Sequence, residues 1–260
     1  MSGRTVIVTG ASSGIGEATA RAFGRAGDRV VIAARRAELL ERVAADLPES
    51  LVVPADLTRS DDIARLVEVT LKRYATVDVL VNNAGVAHYD WLEGLTEEEI
   101  LNDIHVNLIA PVLLTRAVLP TMQARQRGVI INVNSVAGKI ATPTMSIYNA
   151  TKFGLDGFTE CMRRELGPQG IHVCGVYPLG VDTPGFGGKR RVNMGITTPP
   201  WLRLSADEVA RAIVSLADRP RARRVMPGFF GAVIATNALA PWIVDRFTMR
   251  AARRARRGER

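Results

Sequence analysis

Residues 5–16 read TVIVTGASSGIG: a β-branched run, Thr5–Thr9, stops at a glycine-rich turn. A short continuous apolar run bounded by such a turn reads as a buried strand, and Ile15–Ala26 behind it reads as a helix. Gly10 allows the tight exit from the strand. Gly14 and Gly16 let backbone approach a pyrophosphate and let the helix pack close to the strand. The helix N-terminus around Ser12, Ser13 and Ile15 presents free N–H groups and a positive dipole end to phosphates. The spacing is G-x3-G-x-G rather than GxGxxG, and no Gly-Lys-Ser/Thr follows as in an ATPase phosphate loop.

The same alternation continues outward from this stretch. Strands are expected at Arg29–Ala34, Leu51–Ala55, Val77–Val81, Val129–Val133 and Ile171–Tyr177, with a short seventh at Arg224–Met226. Helices are expected at Ala37–Leu47, Asp61–Arg73, Tyr148–Leu166 and Ser205–Ala217. Two more fill Glu97–Arg127, divided near Ile109-Ala110-Pro111. Ser205 with Glu208 three residues on is a capping box. Continuous apolar strands separated by helices mean a parallel sheet buried on both faces. With right-handed crossovers the fold class is α/β, a single doubly wound Rossmann-type domain with a mainly parallel, roughly seven-stranded sheet. That domain is expected over 1–226, with a mobile substrate lid near 184–204 where Gly, Pro and Thr crowd. An apolar then Arg-rich extension occupies 227–260.

In such a sheet, ligands bind at the carboxyl ends of the strands. A site for NAD wants a carboxylate at the end of the second strand, but this chain has Ala33-Ala34-Arg35-Arg36 there. Arg35 and Arg36 match a 2′-phosphate in charge and bidentate geometry, so NADP(H) is the expected cofactor. Asp56, ahead of Leu57 at the end of strand three, is placed either to accept from an adenine amine or to serve as a turn residue. Asn82-Asn83-Ala84-Gly85 closes strand four on the same edge, where turn chemistry also accounts for one of the asparagines.

Tyr148 and Lys152 stand four apart at the start of a helix and therefore share a face. A phenol with pKa about 10 is a poor base at neutral pH, and a neighbouring ammonium lowers that value. The pair is thus a candidate proton donor and acceptor for carbonyl/alcohol interconversion. Ser135 ends strand five on the same edge, where its hydroxyl can hold a carbonyl oxygen near Tyr148 or cap a turn.

Taken together, these residues resemble the short-chain dehydrogenase/reductase family. The matches are Thr9-Gly10-xxx-Gly14-x-Gly16, Asp56, Asn82-Asn83-Ala84-Gly85, Asn107, Ser135, Tyr148-xxx-Lys152, and Pro178 with Thr183, over roughly residues 4–226. The resemblance implies catalytic roles for Asn107, Ser135, Tyr148 and Lys152. Tyr148 exchanges the substrate proton and Ser135 orients the substrate oxygen. Lys152 lowers the Tyr148 pKa and holds the nicotinamide ribose, and Asn107 anchors a water in a relay through Lys152. It also implies cofactor contacts from Gly10 to Gly16, from Leu57, Ala84 and Gly85, and from Pro178, Val181 and Thr183. Hydride passes between cofactor and carbonyl carbon. A homodimer or homotetramer is implied, built through helices near 108–126 and 148–166. One departure is Leu179, where the family usually has Gly; a bulky group there narrows the nicotinamide pocket or shapes the substrate site.

The expected substrate walls are His88, Tyr89, Val136, Ala137, Met145, Leu179, Phe186 and Trp201, mostly apolar. A lipophilic ketone or secondary alcohol, steroid-, retinoid- or fatty-like, is expected. Rival readings are a ketoacyl reductase acting on a carrier-bound substrate and a non-catalytic NADP-sensing module. Cys161 and Cys174 are too few for a disulfide framework and read as small buried hydrophobes; His88, His105 and His172 lack metal-ligand spacing, so no metal is expected. The chain starts without a signal-peptide pattern, which makes a cytoplasmic location the expectation.

The formal charge is +8 over 260 residues. Residues 219–260 carry eleven Arg against Asp245 and Glu259, a sum of +9, so the remainder is −1. That distribution speaks against a nucleic-acid-binding face on the main body. Val225–Val244 is uncharged and long enough to span a bilayer, but Pro227, Gly228, Gly231, Asn237 and Pro241 predict a short strand and a broken helix instead. Followed by a basic helix, the segment resembles an interfacial anchor, so peripheral membrane contact through 227–260 is an expectation, beside a solvated tail or docking of an acidic carrier.

Overall fold

Seven strands form one sheet in the order β3-β2-β1-β4-β5-β6-β7, and every pairing is parallel. They are β1 Thr5–Thr9, β2 Arg29–Ala34, β3 Ser50–Pro54, β4 Val79–Asn82, β5 Gly128–Val133, β6 Ile171–Pro178 and β7 Arg223–Met226. The computed structural model describes residues 3–181, 183, 192 and 198–258. Most of the expected lid, Phe186 included, lies outside the described residues.

The helices are α1 Gly14–Arg25, α2 Ala37–Ala44, α3 Ser60–Tyr74, α4 Glu97–Ile104, α5 Ala110–Ala124, α6 Ser146–Leu166, α7 Ala206–Asp218, α8 Phe230–Leu239 and α9 Pro241–Gly258. Strand residues alternate between two cores, as the two-residue period of a strand requires. Val6 and Val8 pack with Phe23 of α1, Leu40 of α2 and Ile213 of α7. Ile7 points the other way, with Leu66 of α3 and Leu114 of α5. All five β1 residues are buried, which is why that strand carries no polar/apolar alternation. The chain leaves β3 at one edge and returns to β4 on the far side of β1. The strand order therefore reverses at the β1/β4 carboxyl ends, where a crevice opens.

Between α4 and α5 the helix is not divided as expected. It runs on through a π-helical turn, His105–Ile109, closed by the Ala110 amide on the His105 carbonyl. Pro111 has no N–H to offer the Asn107 carbonyl four residues back, so an added residue in the turn accommodates the mismatch. This run, Glu97–Ala124, is long and apolar enough to cross a membrane by length and composition. Ala110, Leu114, Val118 and Met122 nevertheless face the core, as in a helix packed on its sheet.

Polar side chains bind the core layers together as well. Asn82 donates to Asn132 at 2.8 Å, and Asn132 donates to Thr159 of α6 at 2.8 Å. Cys174 is buried, whereas Cys161 is exposed, with Sγ 3.1 Å from a Glu165 carboxylate oxygen. That corrects the sequence reading: Cys161 sits on the outer face of α6, where helical periodicity turns it from the sheet. The uncharged segment breaks as predicted, into β7, the ten-residue α8 and a stop at Ala240 before Pro241.

The Ser205 capping box is formed in both directions, Oγ accepting from the Glu208 amide and the Glu208 carboxylate accepting from the Ser205 amide. Because α7 packs on α1, this cap supports the helix behind the glycine turn. Ser205→Ala is expected to cost about 1 kcal/mol. Urea denaturation followed by circular dichroism checks this; an unchanged midpoint contradicts it.

Candidate active site

One cavity of about 430 Å3 follows the carboxyl edge of the sheet. At one end it is lined by Gly10, Ser12, Ser13, Gly14, Ile15, Arg35 and Arg36; Asp56, Leu57, Asn83, Ala84 and Gly85 continue the wall. Ser135, Tyr148 and Lys152 close the other end with Pro178, Leu179, Val181 and Thr183. The strand ends thus bring together nearly every predicted cofactor-binding and catalytic residue. Gly16 and Asn107 lie outside this lining.

Gly16 acts by close approach. A Cβ there would meet the Gly10 carbonyl oxygen at 2.2 Å and Asn83 Nδ2 at 2.5 Å. Gly10 and Gly14 hold φ of +66° and +59°, conformations that favour glycine. Asn83 locks the turn by donating to the Thr9 carbonyl at 2.8 Å. Thr9 Oγ1 in turn accepts from the Asn83 and Ala84 amides, a role its sequence position alone does not reveal. Asn82, one residue away, points into the sheet and serves the core. The adjacent asparagines divide between turn and core because successive side chains in a strand face opposite ways.

Arg36 precedes α2 and reaches back to Ser12 and Ser13, donating at 3.0 and 3.4 Å. The cationic group therefore sits beside the phosphate-type turn at the end of β2, and both Arg35 and Arg36 are exposed. Asp56 accepts from the Thr58 amide and hydroxyl through Oδ1, so its turn role is realised while it still lines the cavity.

At the other end, Ser135 caps a 3-10 turn, Val136–Gly138, accepting from the Ala137 amide at 3.1 Å. It also hydrogen-bonds Tyr148. The turn is pressed on α6: a Cβ on Gly138 would meet Asn134 Oδ1 at 2.6 Å and the Lys152 carbonyl oxygen at 2.7 Å. Asn134 completes the clamp, accepting from the Ser135 amide and donating to the Lys152 carbonyl. Asn134 and Gly138 were not singled out from sequence; only a Gly three residues after Ser135 hinted at this contact.

Tyr148 and Lys152 are both buried, at 5% and 4% exposure. The Lys152 ammonium donates to the Val133 carbonyl at 3.0 Å and lies 5.6 Å from the Tyr148 ring centroid. The expected lowering of the phenol pKa is not what this geometry gives. Burial pushes Tyr148 up, Tyr89 and Asp103 add to the push, and only the Ser135 hydrogen bond opposes it. The phenol is held protonated. Lys152 is pushed down to about 8 by burial.

Asn107 reaches the cavity wall indirectly. Its amide donates to the Val86 carbonyl at 2.8 Å and accepts from the Val86 amide at 2.9 Å, so its side chain fixes a lining residue. Its neighbourhood holds a pair that sequence reading missed, His88 Nδ1 with the buried Asp103 at 2.7 Å. Tyr89 stands edge-on to Tyr148, centroids 6.2 Å apart, and packs with Met145 around Ala87, Ala137 and Tyr148. Of the expected substrate walls among the described residues, only Leu179 lines this cavity; His88, Tyr89, Val136, Ala137 and Met145 are absent from its lining, as is Trp201, which is 80% exposed. Among the described residues no group of three or more His, Cys, Asp or Glu could hold a metal ion.

The family model for short chain dehydrogenases matches residues 4–192. This chain belongs to the short-chain dehydrogenase/reductase family. It is 38% identical over 193 residues to a "Dehydrogenase/reductase SDR family protein 7-like" of Anopheles gambiae, covering 70% of this chain but 61% of that one. A 3-oxoacyl-[acyl-carrier-protein] reductase of Synechocystis is 36% identical over 183 residues, 68% of this chain and 74% of its own length. Among solved structures, a short-chain dehydrogenase from Sphingobium yanoikuyae in complex with NADPH superposes with a TM-score of 0.80 at 32% identity, covering 93% of this chain and 94% of that one.

Burial of Lys152 makes folding pH-dependent in a defined direction. Above pH 8 the folded state releases this proton while the unfolded chain keeps it to about 10.5, so the lysine's unfavourable contribution shrinks as pH rises. Relative to Lys152→Met, the wild type should therefore gain roughly 2 kcal/mol between pH 7 and pH 10. Urea unfolding of both proteins across that range measures the difference; a pH-independent gap contradicts a depressed Lys152 pKa.

Proposed function

We propose that the protein is an NADP(H)-dependent oxidoreductase that interconverts a carbonyl and a secondary alcohol, with Tyr148 as general acid and base. The observation that carries this reading is the single cavity shared by the glycine turn, the Arg35–Arg36 pair and the Ser135–Tyr148–Lys152 group. The residues fit the cofactor: glycines at positive φ give backbone access, and Arg36 stands where a 2′-phosphate would call for a cation.

When bound, NADP(H) supplies or accepts the hydride. The chain's own residues handle the proton and the geometry. In the reducing direction, the Tyr148 hydroxyl gives its proton to the carbonyl oxygen, and the buried phenol is well suited to remain a donor until then. Ser135 shares that oxygen with Tyr148 and orients it. Lys152 would hold the nicotinamide ribose and, while charged, would ease the loss of the Tyr148 proton. By the family resemblance, Asn107, whose side chain is fixed on Val86, would anchor a water that restores the proton through Lys152.

A lipophilic substrate, steroid-, retinoid- or fatty-like, is supported by the apolar shell of Ala87, Tyr89, Ala137 and Met145 around Tyr148 and by Leu179 in the wall. Peripheral contact of the 227–258 segment with a membrane belongs to the same reading, since such substrates partition into lipid. Homo-oligomerisation is supported by Leu101, Ile109 and Phe153, large apolar residues exposed along α4–α6. A ketoacyl reductase is the second reading, favoured by the Synechocystis relative.

Initial rates over a panel of hydrophobic ketones, carrier-bound ketoacyl groups and polar sugars test this. NADPH is expected to outperform NADH, and Arg36→Ala to narrow that preference. Tyr148→Phe should cost on the order of 100-fold or more in kcat while NADPH still binds. Undiminished turnover in Tyr148→Phe, or equal rates with both cofactors, overturns the corresponding part.

A further inference from the structure

The C-terminal helices present a surface of unusual composition. Phe229, Leu239, Trp242, Ile243, Phe247 and Met249 are exposed, from 42% at Ile243 to 82% at Leu239. In α9 the half-buried residues Val244, Thr248, Ala251, Ala252 and Ala255 recur at helical spacing and define the inward side. At about 100° per residue, the opposite arc carries Trp242, Ile243 and Met249 in its first turns with Arg246 between them, and Phe247 stands at its edge. The same arc carries Arg250, Arg253, Arg254 and Arg257 in its last turns. Aromatic and aliphatic groups thus cluster in the first turns around Arg246, and further guanidinium groups follow, along one solvent-facing side.

The extension is tied to the substrate side of the domain at two points. Asn237 donates to the Lys139 carbonyl, just past the turn that carries Ser135. Arg256 lies 3.8 Å over the Trp91 ring and pairs with Glu93 at 2.6 Å, in the loop that carries Tyr89. These contacts fix the outward face relative to the Tyr148 end of the cavity.

We propose that this face docks the protein on an anionic lipid surface, the apolar residues entering the headgroup boundary and the α9 arginines meeting lipid phosphates. An exposed apolar and aromatic face flanked by arginines is the composition that lies in a membrane interface. Charge selects the occupant. A second copy would bring together two extensions that each sum to +5 over residues 227–260, which like-charge repulsion opposes, whereas an anionic surface is complementary. An acidic protein matches the charge but gives less reason for so many exposed aliphatic and aromatic groups. The proposal deepens the membrane contact in the functional reading and rests on it for its purpose, although binding and turnover are measured separately.

The experiment is co-sedimentation of the full chain with vesicles of phosphatidylcholine alone and of phosphatidylcholine mixed with phosphatidylglycerol. Binding to the mixed vesicles is expected to be on the order of tenfold stronger, to weaken with added salt, and to be lost in Trp242→Ser/Phe247→Ser. Retained NADPH binding by that variant shows that the body is intact. Equal, weak sedimentation with both vesicle types overturns the proposal. So does an oligomer that the double variant dissociates while lipid binding persists, which would make the face a self-interface. Failure of the lipophilic-substrate reading alone would leave vesicle binding intact.

Discussion

All seven strands run the same way, and the site depends on that single constraint. Parallel register puts every carboxyl end on one edge, so the turn after β1, the arginines after β2, the asparagine after β4 and the serine after β5 share one rim. No long-range pairing of these side chains is needed to assemble them. The backbone ladder does it, and the buried Asn82–Asn132–Thr159 chain adds a side-chain tie through β4, β5 and α6. A chemically diverse rim is therefore carried by an almost wholly apolar sheet.

Within that frame, precision comes from places where no side chain fits. Gly16 against the Gly10 carbonyl, and Gly138 against Lys152, are approaches that an added Cβ would push apart. The first sets the turn at the nucleotide end. The second sets the distance between the Ser135 turn and the helix bearing Tyr148. Asn83 and Asn134 then lock each approach with hydrogen bonds to backbone. Each end of the cavity thus uses the same pairing of a crowded glycine with an asparagine clamp.

The strands, the glycine turn and the Tyr148–Lys152 spacing were legible in sequence because each depends on local period or local conformation. What was not legible depends on which way a side chain faces after packing. Cys161 lies in a helix whose composition suggests burial, yet its position on the 3.6-residue period turns it outward. Asn82 and Asn83 look equivalent in a string, and the strand's alternation gives one to the core and the other to the turn. Asn107 carried a role only by resemblance; its amide proves to clamp Val86, while Pro111 shapes the π turn around it. Neither assignment follows from residue type. The sign of the Tyr148 shift was also inaccessible, because the spacing to Lys152 was visible but the depth of burial was not.

Depth of burial has a consequence for how the two titrating groups divide their work. The same burial pushes the phenol up and the ammonium down, so each charged form is disfavoured there. A phenolate beside a charged lysine is a pair in which each charge offsets the desolvation of the other. A charged Lys152 would thereby ease removal of the Tyr148 proton, as the proposed mechanism requires. Ser135 hydrogen-bonds the phenol, and the fully buried Asn107 bonds Val86 and Thr151, the residue before Lys152. The basic end lies outside this chemistry: residues 219–260 sum to +9 and 1–218 to −1, and the shifts of Tyr148 and Lys152 arise from burial and near neighbours. Charge at the C-terminus and charge in the cavity are thus separate properties of one chain, set by a surface helix and by the sheet edge respectively.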